Sequence, residues 1–274
     1  LTRARLSATW ATVGCVALPS LPNVGEMDEV RYEHFPHPWF SHVPRVGEAD
    51  APEWFGASLV KQIQSAVPEQ EIGFHSFSHV DFGHPGTSRE RARQEFQWCA
   101  RIARDLGVRP TSFVFPRNRI GFLDELAAAG FRCYRSPDPL SIEVPTRQGR
   151  SAGGVLADFI GMAPPLVSPM VQDGLVAIPG SLMVRYAEGW RARIPDAMRA
   201  RRLASGLSQL ARRGGIFHVW LHPINLYAER PRLENVLGEF CERVGELVAA
   251  GAVRCRTMGQ IADEVFPLTT EPIQ

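Results

Sequence analysis

The stretch Glu71-Ile-Gly-Phe-His-Ser-Phe-Ser-His-Val-Asp-Phe82 decides how the chain is read. Residues 71–74 form a short, mostly apolar run that opens after Pro68 and ends at a histidine, which predicts a buried strand. His75 and His79 follow it, four residues apart. If the backbone turns helically there, the two imidazoles share a face with Cβ atoms about 5–6 Å apart, close enough to bind one metal ion. In parallel α/β proteins ligands gather at the carboxyl ends of strands, so the placement of the pair counts for more than its spacing. Standing alone, two histidines at this spacing are equally well surface or core residues bonded to backbone.

Working outward, strand-like runs occupy residues 8–13, 111–115, 131–134, 175–178, 216–221 and 253–256. Helical faces lie between them. Leu59, Ile63 and Ala66 mark one. Thr87 and Glu90 read as a capping box for a second, with Ala92, Phe96, Cys99, Ala103 and Leu106 on its apolar stripe and Gly107 at its stop. Further helices are predicted over 123–129, 200–212 and 233–250, and a last one opens at the Thr257/Gln260 capping box. Alternation of strand and helix over the whole length implies a parallel sheet with helices outside it, open or closed into a barrel. Residues 19–56 form a long loop insertion whose Trp39, Phe40 and Trp54 either stack on sugar rings or pin the loop to the body. Its His34, His37 and His42 read as solvated. Residues 137–177 are irregular apart from the run at 175–178.

Composition sets outer limits. The chain has 274 residues, a net charge of +1 and 45% apolar residues, an ordinary globular profile that excludes disorder and a disulfide-stapled mini-protein. Near-neutral charge argues against a nucleic-acid partner, although Lys61 is the only lysine beside 29 arginines. The arginine-rich stretch 191–202 reads as a solvated helix face. Five widely spaced cysteines without a C-x-x-C pair point away from structural disulfides and toward a cytoplasmic setting. Arg3, Arg5 and the apolar residues after Ala8 imitate a leader, but the segment reads better as a strand ending at Gly14. No run approaches the roughly 18 apolar residues of an integral membrane segment.

Two further clusters end strands: Phe115-Pro-Arg-Asn118 and His222, in the run Phe217-His-Val-Trp-Leu-His-Pro223. A histidine so placed suits general acid catalysis, because its unperturbed pKa is near neutrality. His218, deeper on the same strand, reads as structural. With the segments ATWATVG, EIGFHSFSH, FVFPRN and LHP in this order, the chain resembles the polysaccharide deacetylases with a NodB-homology domain, carbohydrate esterase family 4, over residues 8–265. The resemblance implies one catalytic domain spanning 1–274 with a distorted (β/α)7-type barrel. It implies a divalent metal, usually zinc, held by two histidines matching His75 and His79 and by an aspartate. A second aspartate would be the base, and His222 matches the histidine that protonates the departing amine. Pro116, Arg117 and Asn118 are candidates for lining the substrate groove. The implied reaction removes an acetyl group from an N-acetylated sugar of a polysaccharide or oligosaccharide; the alternatives are an inactive glycan-binding relative and a deacylase of a small non-sugar amide.

The chain departs from the family pattern in its first motif, in the third, where Val114 stands before Phe115-Pro-Arg-Asn118 in place of the usual arginine, and in a fourth motif with no clear counterpart. The family's aspartate-bearing first motif would precede the strand at 8–13, where only residues 1–7 stand, so the expectation is a barrel short of its first strand. Loss of a general base costs about 10²–10⁴ in rate, and little turnover is expected of a chain that begins at Leu1. Asp81, just beyond the second histidine, is not promoted to a ligand. Oligomeric state is left open.

Overall fold

The computed structural model describes residues 1–22, 31, 35–139, 161–185 and 192–267. His34 and residue 191 of the arginine-rich stretch lie outside the described residues. The chain divides into two compact units, one of residues 1–6, 136–170 and 178–255, the other of residues 7–135, 171–177 and 256–274. In chain order the elements are β1 (Thr9–Thr12), α1 (Ala57–Gln64), β2 (Glu71–Phe74), α2 (Arg89–Asp105), β3 (Ser112–Val114), α3 (Leu123–Ala128), β4 (Cys133–Ser136), β5 (Met170–Gln172), β6 (Leu175–Pro179), β7 (Leu182–Met183), α4 (Asp196–Arg213), β8 (Val219–Trp220), α5 (Pro223–Ala228), α6 (Arg230–Ala249) and α7 (Met258–Val265).

The unit built on residues 7–135 carries a six-stranded sheet in the order β1-β2-β3-β4-β6-β5. β1 to β4 are parallel, with Thr9 opposite Glu71, Phe74 opposite Phe113 and Ser112 opposite Cys133. Their carboxyl ends therefore share one edge of the sheet. Beneath them lies an aromatic core in which Phe82 stacks on Phe96 at 4.8 Å, and Phe113 and Phe115 meet that pair edge-on. The apolar stripe of α2 closes this core, with Ala92, Phe96, Cys99 and Ala103 fully buried. β5 and β6 are joined by Asp173-Gly174, both at positive φ (51° and 74°), the two-residue turn that suits an antiparallel hairpin.

In the other unit β7 and β8 form a two-stranded parallel sheet, and Leu182, Val184, Leu203, Leu233 and Val236 make a second core. Gly206 on α4 allows the Phe217 ring to lie against the helix, since a Cβ there would stand 2.4 Å from it.

The mixed α/β layout with mostly parallel strands agrees with the sequence, but the barrel does not. Among the described residues the larger sheet is open, with β1 and β5 at its edges, and β7 and β8 pair with one another and not with it. Closure needs a continuous ladder around the ring, and strands of two residues supply too few bonds to extend one. Residues 253–256 are irregular, and the Val253 N–H donates back to Leu247 O at the end of α6. The cap of α2 is Ser88, whose hydroxyl accepts from Arg91 N, because Thr87 spends its hydroxyl on Asp81 O. Leu59 faces solvent and Val60 is the buried residue of α1. All five cysteines are free, and among the described residues no helix is long and apolar enough to cross a membrane.

Candidate functional site

β2 delivers the histidine pair to the carboxyl edge of the sheet. The His75 N–H donates to Thr12 O at 2.8 Å, which carries the β1–β2 ladder one residue further. The ring then turns toward β3, where Nδ1 lies 2.7 Å from Val114 O. A carbonyl can only accept, so Nδ1 carries a proton, and in the neutral ring Nε2 is then the lone-pair nitrogen, the tautomer required of a metal ligand. The His79 ring stands 4.8 Å from that of His75, at an interplanar angle of 72°.

The chain between them does not turn as a helix, contrary to the simplest reading of the spacing. Ser76 and His79 sit in the left-handed region, at φ 61° and 64°. Arg117 and Asn118, after β3, sit there too, at 57° and 56°. Each such non-glycine residue costs about 1–2 kcal/mol, and strain concentrated at two neighbouring strand ends motivates a search for function there. Backbone bonds hold the strained loop: Gly14 N donates to Ser76 O, Cys15 N to Phe77 O and Trp39 Nε1 to Ser78 O. Gly14 keeps that approach close, since a Cβ there would stand 3.0 Å from the Phe77 ring and 3.2 Å from its Cα and crowd both.

Although His79 is exposed by surface area, desolvation by the surrounding chain, and after it the Arg117 guanidinium, lowers its imidazole from the ordinary histidine value, in the direction that favours the neutral, ligating form. Arg117 is exposed, Pro116 is buried, and Asn118 Oδ1 accepts from Arg135 Nη2. Asp81 is committed elsewhere, with Oδ2 accepting from Arg119 Nη1 at 2.9 Å and Oδ1 from Gly83 N at 3.0 Å. In the 19–56 loop, His37 is exposed, His42 meets Trp54 edge-on at 5.6 Å, and Trp39 is pinned by its bond to Ser78.

His222 belongs to the other unit, exposed at the start of α5 two residues beyond β8. Its ring meets Trp220 edge-on at 5.6 Å, and Trp220 Nε1 donates to both oxygens of Asp138, at 3.1 and 3.2 Å. Sequence reasoning missed Asp138. Its only signal is a carboxylate two residues past the end of β4, inside a stretch whose irregularity hid it. His218 is structural, as expected, with Nδ1 at 2.9 Å from Pro179 O.

The two imidazoles suit two positions of a divalent metal site by donor chemistry and by the His75 tautomer. Among the described residues, no group of three or more His, Cys, Asp or Glu side chains is placed to hold an ion.

Comparison with known proteins assigns no family: no family model and no curated protein matches the chain. Three solved structures are similar at a distance. The Xyl-CE4 domain of a multidomain xylanase from the hindgut metagenome of Trinervitermes trinervoides is 12% identical with a TM-score of 0.33, over 83% of this chain and 80% of that one. A family 4 acetyl xylan esterase from Clostridium thermocellum, solved with a cobalt ion, is 15% identical with a TM-score of 0.32, over 94% and 87%. A 4-alpha-glucanotransferase from Thermococcus litoralis is 14% identical with a TM-score of 0.43, over 94% of this chain and 39% of that one. At these identities and TM-scores the likenesses assign neither a reaction nor a substrate.

Proposed function

We propose that the protein is a divalent-metal-dependent hydrolase that removes acetyl groups from N-acetylated sugars, with His75 and His79 as two ligands and zinc as the fitting ion. One observation carries the reading: the His75 ring is held through Nδ1 by Val114 O while a second imidazole stands 4.8 Å away at the carboxyl edge of a parallel sheet. Neutral imidazole is a ligand of choice for zinc. When bound, the cation supplies Lewis acidity toward an acyl carbonyl.

The chain's own residues take the remaining roles. Arg117, exposed beside His79, binds polar groups of the sugar, with Pro116 beneath it and Asn118 held by Arg135. The reaction adds water across the amide: the water oxygen bonds to the acetyl carbon as the C–N bond breaks, and the nitrogen takes up a proton, the role the family resemblance gives His222. Acetate and a free amine leave, the remaining water proton going to solvent. Trp220, tied to Asp138, limits how the His222 ring can turn.

Acetate release from N-acetylated oligosaccharides in the presence of zinc tests this reading. The expected result is release, slow for a chain without the aspartate-bearing first motif, that is lost in His75→Ala and falls further in His222→Ala; zinc bound at His75 with no detectable release from any N-acetylated sugar would sink it. A second reading, glycan binding without turnover, is favoured by the lack of a three-ligand group among the described residues. Saturable oligosaccharide binding with no acetate released is its signature.

A further inference from the structure

We infer that Glu95 is the positioning residue of the histidine pair, a carboxylate built into the core of α2 to set the loop that spaces His75 from His79. This rests on the proposed metal-binding role of that pair. Glu95 is fully buried at 0% exposure, although nothing in its helix requires an acid there. Its Oε2 accepts from the N–H groups of Phe77 and Ser78, both at 2.9 Å, and its Oε1 accepts from the Ser78 hydroxyl at 2.6 Å. Three donors converge on an acceptor-only group, the arrangement a buried carboxylate needs.

The residues it grips, Phe77 and Ser78, lie between the two histidines in the chain. Phe77 and Ser78 would otherwise bury two N–H groups without partners, because the left-handed turns at Ser76 and His79 remove them from any helix or strand ladder. Glu95 thus completes the strained conformation from below, while Gly14, Cys15 and Trp39 take the loop's carbonyls from the sides. Placing this duty on a long, packed helix gives the pair a rigid support, the role supporting residues play in orienting metal-ligating histidines. Cys15 and Cys99 share the surroundings of Glu95: burial, and then the Glu95 charge, push the Cys15 thiol up to about 12 and raise Cys99 as well. They are inert neighbours, not competing ligands.

The chemistry separates Glu95→Gln from Glu95→Ala. A glutamine keeps one oxygen for the two N–H groups and turns its amide toward a Ser78 hydroxyl that can accept, so it rescues the loop; alanine leaves all three groups unpartnered. The test is a zinc titration, with long-range nitrogen–proton spectra of the His75 and His79 rings, on wild type, Glu95→Gln, Glu95→Ala and Glu125→Ala. The last is a folding control that removes an ion-paired carboxylate outside the loop.

The expected result is zinc affinity weakened about 10- to 100-fold in Glu95→Ala, nearly restored in Glu95→Gln and unchanged in Glu125→Ala, with the single His75 tautomer lost only in Glu95→Ala. A folded Glu95→Ala with wild-type ring spectra would overturn the inference whether or not zinc binds. Absence of zinc binding in wild type would instead remove the metal reading, and the ring spectra would still decide the role of Glu95. Should Glu95→Ala fail to fold, Glu95→Gln against Ser78→Ala carries the same ring measurement, with disturbance expected in Ser78→Ala alone; two wild-type ring spectra would contradict the inference.

Discussion

At the residue scale, His75 and His79 differ in how their environments prepare them. His75 bonds a strand-end carbonyl through Nδ1, and His79 is shifted by desolvation and then by a nearby positive charge. Titration followed by NMR should place the His79 midpoint below the ordinary histidine value. Arg117→Gln should raise it part of the way, because burial is the larger cause and survives the change; a midpoint unmoved by that substitution would remove Arg117 from the site. The histidines were legible because they interrupt an apolar run at its end. Glu95 and Asp138 were not, for different reasons. Glu95 sits on the apolar stripe of α2, three residues after Ala92 and four before Cys99; a lone carboxylate on such a stripe is a signal, but only the tertiary donors reveal its partner. Asp138 lies in irregular chain, where no periodicity frames it.

At the element scale, local chemistry set α7 and tertiary contacts set α2. In α7 the Thr257 hydroxyl and the Gln260 side chain exchange bonds with each other's backbone N–H, as the sequence alone implied. Thr257→Ala should cost about 1 kcal/mol, read by denaturant unfolding. At α2 two hydroxyl residues compete for the cap, and only the contact of Thr87 with Asp81 decides between them. Phe96→Ala should cost about 3–5 kcal/mol, since that ring is fully buried among three others.

α2 is also tied to α3 by Arg93 and Arg89, whose bonds to Glu125 hold its carboxyl down at about 2 against an ordinary value of 4.5. A depressed carboxyl contributes stability in full above its unfolded pKa and loses it as pH falls through the folded one. Melting temperature should therefore drop between pH 4.5 and 2, and Glu125→Gln should flatten that limb; an equally steep limb in the variant would assign acid lability elsewhere. β7 and α5 escaped the sequence, having too few residues to show a periodicity, whereas β8 fell inside the apolar run at 216–221.

At the scale of the whole molecule, alternating strands and helices announced a parallel sheet, but they could not say how many strands the ladder would join. β2 was legible to the residue because an apolar run, a preceding proline and a following histidine bound it on both sides. The hairpin of β5 and β6 left its mark only in Asp173-Gly174. Part of the arginine excess is paired among the described residues: Arg199 meets Glu229 at 2.9 Å, and Arg232 meets Asp196 at 3.0 Å.

Everything proposed for the protein turns on the edge of the sheet where β2 ends, and equilibrium zinc binding tests it most directly. The expected result is one zinc ion per chain in wild type, lost in both His75→Ala and His79→Ala while the variants remain folded. Wild type that binds no zinc, or zinc binding that survives His75→Ala unchanged, would contradict it.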